Sequence, residues 1–188
     1  MVAAARTLLD SGGEKAVTLR AVGHACNLSH NAPYRHFASR TALLAAVAAA
    51  DFRDLHEDFR EIRRSRANPR NKLIKALTIG ADLGRDHPAR YDLLFNSPEV
   101  SAEGGELAAA ENGAFTEFVA IVEECQRSGT LPEAPTPVLA HLIFATMHGL
   151  TAAASRGGTD ADVTATDPAS GVRLLINLLA PSPGPTPS

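Results

Sequence analysis

The sequence predicts an all-α protein of about nine helices, and three observations carry that prediction. Alanine, the best helix former, supplies 34 of the 188 residues. Alternating apolar and polar runs of the kind that make strands are missing, and β-branched clusters are sparse. Gly and Pro fall mostly between segments of helical period, where they punctuate. A chain of this length buries a core without staples. With hydrophobic residues at 45%, wholesale disorder is excluded.

The elements follow in order. A first helix is expected over roughly Val2–Asp10, stopping at Ser11-Gly12-Gly13. A second runs from about Thr18, its N-cap, to Cys26. Asn27-Leu28 connects to a third helix near Ser29–Phe37, with Ser29 placed to cap it. Ser39 caps a long fourth helix to about Arg64, whose apolar positions Leu43, Leu44, Val47, Leu55, Phe59 and Ile62 keep close to the 3.6-residue period. Pro at the first helical position suits a fifth helix over Pro69–Arg85. His87-Pro88 opens a sixth through Phe95, followed by a loop to Gly105. The seventh spans about Glu106–Ser128 and ends at Gly129. The eighth spans Pro137–Arg156 and the ninth Pro168–Leu179. The Pro/Ser-rich end, 181–188, reads as a disordered tail.

Composition narrows the function classes. Only two cysteines occur, Cys26 and Cys125, so a disulfide-framed secreted scaffold is not expected and a reduced cytoplasmic protein is. The first residues lack the basic start and apolar block of a signal peptide. No apolar run reaches the roughly 18–20 residues that span a bilayer, so no membrane partner is expected. The net charge of −3 conceals an uneven distribution. From Lys15 to Ala50 there is no Asp or Glu. Residues 1–66 hold ten Lys and Arg against seven Asp and Glu, while 67–188 hold eight against fourteen. A basic head on an acidic body suggests that one end meets a polyanion.

The most specific block is residues 17–37, VTLRAVGHACNLSHNAPYRHF. It reads as two short helices joined by a tight turn, with Leu19, Val22, Cys26 and Leu28 on an inner face. Asn27 sits where the chain must reverse, and Asn tolerates the left-handed conformation better than most residues. A helix–turn–helix puts the start of its second helix into the major groove. His30 and Asn31 stand there, and both can reach base edges. A carboxylate on such a face would meet phosphates, which fits the acid-free composition. Pro33, inside the first turns of that helix, is expected to delete a backbone hydrogen bond to Ser29.

Residues 3–59 resemble the DNA-binding domain of the TetR/AcrR family of transcriptional regulators. The resemblance rests on the Ala-rich first helix, Gly12-Gly13, the Val-Thr-Leu-Arg-Ala-Val start of the second helix, Tyr-Arg-His-Phe at the end of the third, and Ser-Arg-Thr-Ala-Leu-Leu at the head of the fourth. It implies roles for single residues. Thr18 and Arg20 would contact the phosphate backbone, and His30 and Asn31 would read bases. Tyr34 and His36 would hold phosphates, as would Arg40, at a place where the family usually has Lys. Ser29 belongs to the same contact set. Asn27 replaces the more frequent Gly at the turn. The chain starts almost at its first helix, so the basic arm that some members lay on DNA is absent or the true start lies upstream; without the arm, fewer phosphate contacts and weaker, less salt-sensitive binding are expected.

The resemblance extends to the body. Phe144-Ala-Thr-Met-His-Gly-Leu150 is similar to the Trp-x-x-x-His-Gly motif of one TetR subfamily, the WHG type, with Phe144 in place of Trp. It implies a homodimer joined through the eighth and ninth helices, with Gly149, Ala152 and Ala153 allowing close approach. The implied partners are a palindromic double-stranded DNA operator and a small, largely apolar effector that releases a repressor from it. Phe95, Phe115, Phe118, Phe144, Met147 and His148 are candidate effector contacts; plain core packing is the other reading of the Phe and Met residues. His148 would bind ligand or satisfy a buried carbonyl. The expected division is 1–64 for DNA binding and 69–180 for effector binding and dimerisation. No catalytic constellation, cofactor loop or metal cluster stands out, although His141 and His148 lie two helical turns apart. The rival is an all-α carrier or enzyme whose helix–turn–helix is structural only.

Overall fold

The structure, a computed structural model, describes residues 1–29, 31–155 and 167–180. Among these, ten helices and no strand occur. They are α1 (Val2–Ala16), α2 (Leu19–Ala25), α3 (Ala32–His36), α4 (Arg40–Arg64), α5 (Pro69–Asp86), α6 (Pro88–Phe95), α7 (Pro98–Ser101), α8 (Gly105–Arg127), α9 (Thr136–Ser155) and α10 (Pro168–Leu179).

Local chemistry sets most of the boundaries. α1 continues past Ser11 and Gly12 and breaks at Gly13, whose φ of 66° and ψ of −174° no β-carbon would favour. The Thr18 hydroxyl accepts the Ala21 N–H at 3.0 Å and caps α2. The Ser39 hydroxyl does the same for Ala42 at 2.9 Å, and the Asn68 side chain for Asn71 at 2.8 Å. α8 ends in a left-handed Gly129 (φ 71°), with Thr130 N–H bonded to Cys125 O at 2.8 Å, which closes a Schellman motif. Asp167 caps α10 through Ser170 N–H at 3.1 Å.

Two sequence expectations fail for identifiable reasons. The segment after Phe95 is not all loop. Ser97-Pro98 starts the single turn α7, which buries Val100, and one turn is too short to show a period. The stretch from Thr136 to Ala154 has a mean hydropathy of 1.3 and is long and apolar enough to cross a membrane, contrary to the reading of apolar runs. It lacks Asp, Glu, Lys and Arg, and its Ala, Thr and Gly residues hide the continuity.

The packing separates two compact units, Met1–Glu57 with Leu83–Phe115, and Asp58–Asp82 with Thr116–Ser188. In the first, α1 packs on α2 and α6, and α2 on α3. Its core includes Leu9, Val17, Val22, Leu43, Leu44 and Val47. Asp51, buried on α4, pairs with Arg6 of α1 at 2.6 Å and with Arg90 of α6, so one carboxylate ties three helices. In the second unit, α9 packs on α10. Its core includes Leu73, Leu77, Phe118, Ile121, Ile143 and Ile176. Lys72 is nearly buried and bonds both Glu124 (2.8 Å) and the Arg63 carbonyl (2.6 Å), so its charge is paired rather than stranded. Gln126 pins the link between α8 and α9. Its Nε2 donates to the Pro132 and Ala134 carbonyls at 3.0 and 2.9 Å, and its Oε1 accepts from Thr136 at 2.7 Å. The Cys125 thiol donates to Pro69 O at 3.2 Å, and burial pushes its pKa up to about 12, so it remains protonated.

Candidate nucleic-acid interface

The turn between α2 and α3 is built on Asn27, at φ 54° the one described non-Gly residue in the left-handed region. Beyond it the chain does not start a helix at Ser29. Ser29 offers its carbonyl to Ala32 N–H at 3.0 Å, its hydroxyl makes no cap among the described residues, and α3 begins at Ala32 behind Asn31. Two corrections follow. Pro33 stands in the first turn of α3, where a backbone N–H has no helical acceptor, so it deletes no hydrogen bond. Leu28 lies 42% exposed rather than on the inner face, because the reversal at Asn27 turns it outward.

Gly23 is a determinant that the sequence reading missed. A β-carbon there would stand 2.9 Å from Pro33 Cγ, so the missing side chain lets the Pro33 ring seat against α2. Pro33 is buried and fixes α3 on α2. A Gly inside a short amphipathic helix, ten residues before a Pro, was the available signal.

The residues singled out for DNA contact then share one short segment. Thr18, Arg20, Ser29, Asn31, Tyr34 and His36 are exposed, as are His24 and Arg35. Thr18 uses an acceptor lone pair for its cap and keeps its O–H to donate. Arg20 has no partner among the described residues, nor does the Asn31 side chain. His30 lies outside the described residues. Phe37 is half-buried, as a packing role requires. Arg40 differs from all of these. Its Nε donates to Val17 O at 2.7 Å, Nη1 to Glu14 Oε1 at 3.1 Å, and Nη2 to Glu14 O.

The six candidate effector contacts are shared between the two units, Phe95 and Phe115 in the first and the other four in the second. Phe95 packs on Tyr91 (centroids 4.9 Å apart) and Phe52 (5.7 Å) in the first unit, to which the half-buried Phe115 also belongs. In the second unit the buried Phe118 meets Phe144 edge-on at 5.7 Å, and Phe144 stacks on His148 at 5.6 Å and 26°. Met147 is buried and fills the place of the Gly80 side chain, where a β-carbon would stand 2.7 Å from its Cε. Burial lowers the His148 pKa below the usual histidine value, so the ring is neutral at pH 7. A cleft of about 210 Å³ opens elsewhere, in the first unit, over Ala42, Ala45, Ala46 and Ala49 of α4 and the residues leading into α8.

Comparison with known proteins agrees with this geometry. Residues 1–47 match the family model of bacterial regulatory proteins of the tetR family, and 81–179 match a tetracyclin repressor-like C-terminal domain. Among curated proteins none matches the chain. A protein of unknown function from Rhodococcus sp. RHA1 superposes with a TM-score of 0.77 at 23% identity, over 96% of this chain and 93% of that one. A TetR-family transcriptional regulator from Pectobacterium atrosepticum gives 0.74 at 17% identity, over 97% and 93%. The regulator PfmR from Thermus thermophilus gives 0.63 at 16%, over 95% and 96%. At these identities the likeness is one of fold. With more than half of its length matched by one family model and its helix–turn–helix by another, the chain belongs to the TetR family of DNA-binding transcriptional regulators.

Proposed function

We propose that the protein is a homodimeric repressor that binds a palindromic operator and leaves it when a small, largely apolar effector binds the body. The observation that carries the DNA half of this reading is the exposed, acid-free face of α2 and α3, with Asn31 at the head of α3 and unbonded among the described residues. A free carboxamide at that place can pair with adenine in the major groove. Thr18, Arg20, Ser29, Tyr34 and His36 act as its phosphate and groove-edge contacts, and His30 joins Asn31 in reading bases. Phosphate contacts set register and orientation, and the α3 side chains set sequence.

The dimer half rests on α9 and α10. Four of the six large exposed apolar side chains among the described residues lie there: Val138 (56%), Leu142 (61%), Leu174 (58%) and Leu178 (74%). Val138, Leu142, Ala145, Gly149 and Ala153 are exposed at helical spacing, and a β-carbon at Gly149 would meet nothing within 4 Å. An uncharged face of this size on two adjacent helices suits a second copy, which would make a four-helix interface. Two-fold symmetry then sets the two α3 helices ~34–36 Å apart, one turn of DNA. Phe118, Phe144, Met147 and His148 are the residues that the second unit offers to the effector, and Phe95 and Phe115 are those that the first unit offers. His148, neutral and stacked, can donate or accept one hydrogen bond to it. Release needs only that the effector bind better to a conformation whose heads no longer fit both half-sites. The repressor acts in the cytoplasm and carries no catalytic step.

A mobility-shift titration with the DNA upstream of its gene tests the reading. A specific complex is expected, weakened by an active cell extract. No specific complex under any salt condition would contradict it.

A further inference from the structure

The cation at the head of α4 is 40% exposed but fully engaged within the chain. Arg40 reaches back to the end of α1 and spends donors from all three guanidinium nitrogens on Val17 O, Glu14 Oε1 and Glu14 O. Val17 immediately precedes Thr18, the N-cap of α2, so these bonds fix the backbone from which α2 and its exposed face begin. The pairing also neutralises Glu14, the last carboxylate before the acid-free stretch, which is half exposed beside it. A neutral pair releases no counterion and so adds nothing to the salt dependence of DNA binding.

Resting on the DNA-binding reading above, we infer that Arg40 is a positioning residue, a three-way staple between the α1–α2 link and α4, rather than a phosphate clamp, and that Glu14 is its partner and its shield. The geometry explains why Arg stands here. A lysine ammonium carries the charge but cannot reach three acceptors from one planar fork. Loss of the staple lets Thr18 and α2 drift, and α3 moves with them because Pro33 seats on Gly23.

The test is the slope of log K against log salt for the full-length protein on a duplex selected by the wild type from a random-sequence pool. Measurements are made well below each variant's melting temperature, with helicity checked by circular dichroism. Glu14→Gln/Arg40→Ala, which removes the pair without leaving its carboxylate uncovered, is expected to weaken binding about tenfold with the wild-type slope. Arg40→Lys should behave like that double variant, because its ammonium still covers Glu14 but cannot make the staple. Glu14→Gln keeps both carbonyl acceptors and removes the shield, so its slope should steepen by up to ~0.9 for each subunit. Arg20→Ala, at a phosphate-contact position, should flatten the slope and serves as the reference. A slope flattened by ~0.9 for each Arg40 lost, with wild-type behaviour in Arg40→Lys, would make Arg40 a clamp and overturn the inference while leaving the DNA-binding reading intact. A wild type that selects no duplex would overturn both.

Discussion

The α2–α3 face and the α9–α10 face are both exposed, yet they expose opposite chemistry. The first presents Thr18, Arg20, Asn31, Tyr34 and His36, each with a group that donates or accepts a hydrogen bond. The second presents Val138, Leu142, Leu174 and Leu178 with Ala145, Gly149 and Ala153 between them. Water tolerates the first indefinitely and penalises the second by the apolar area left wet. In the proposed function this difference gives each face its partner: a polar, grooved polyanion for one and a copy of the same apolar surface for the other.

The comparison breaks most easily at Leu142. Leu142→Glu places a charge among the exposed apolar side chains of α9, and the dimer should weaken about a hundredfold or more. Sedimentation velocity would show a helical monomer, and operator affinity would fall with it because one head holds one half-site. Next is Asn31→Ala, which should cost about 1–3 kcal/mol on the selected duplex and leave non-specific binding unchanged. Competition with unrelated DNA separates the two. Gly23→Ala comes third. Helix propensity alone would favour Ala by about 1 kcal/mol, but the contact with Pro33 Cγ at 2.9 Å should outweigh it and leave the fold about 1–2 kcal/mol less stable. Urea titration reads the sign directly.

The smallest effect belongs to His148. Its folded pKa lies below the unfolded value of 6.5, so the unfolded chain binds the extra proton first. Stability is therefore full above that value and declines as pH falls below it toward the lowered pKa. Wild type should lose melting temperature between about pH 7 and pH 5 more steeply than His148→Gln. Parallel profiles would mean that the ring carries no burial penalty.

What was legible in the sequence was local. Thr18, Ser39 and the left-handed Asn27 announce themselves within three residues, because a cap and a turn are satisfied by near neighbours. The apolar period of α4 is legible too, and its six named positions are all buried. Long-range choices were not. Nothing within four residues of Arg40 says that its donors go to Glu14 and Val17, 26 and 23 residues away. Gly23 matters only because Pro33 comes back to meet it. Ser29 has the composition of a cap, but the turn geometry starts α3 three residues later. The division of Phe95 and Phe115 from Phe118, Phe144, Met147 and His148 follows from packing that periodicity does not encode.

If one face takes DNA and the other a second copy, the mass of the complex between the protein and a duplex selected from a random pool, measured by sedimentation equilibrium, should be that of two chains on one duplex, with half-sites ~34–36 Å apart, and Leu142→Glu should form no such complex. A single chain bound with full affinity, or a two-chain complex that survives Leu142→Glu, would contradict that reading.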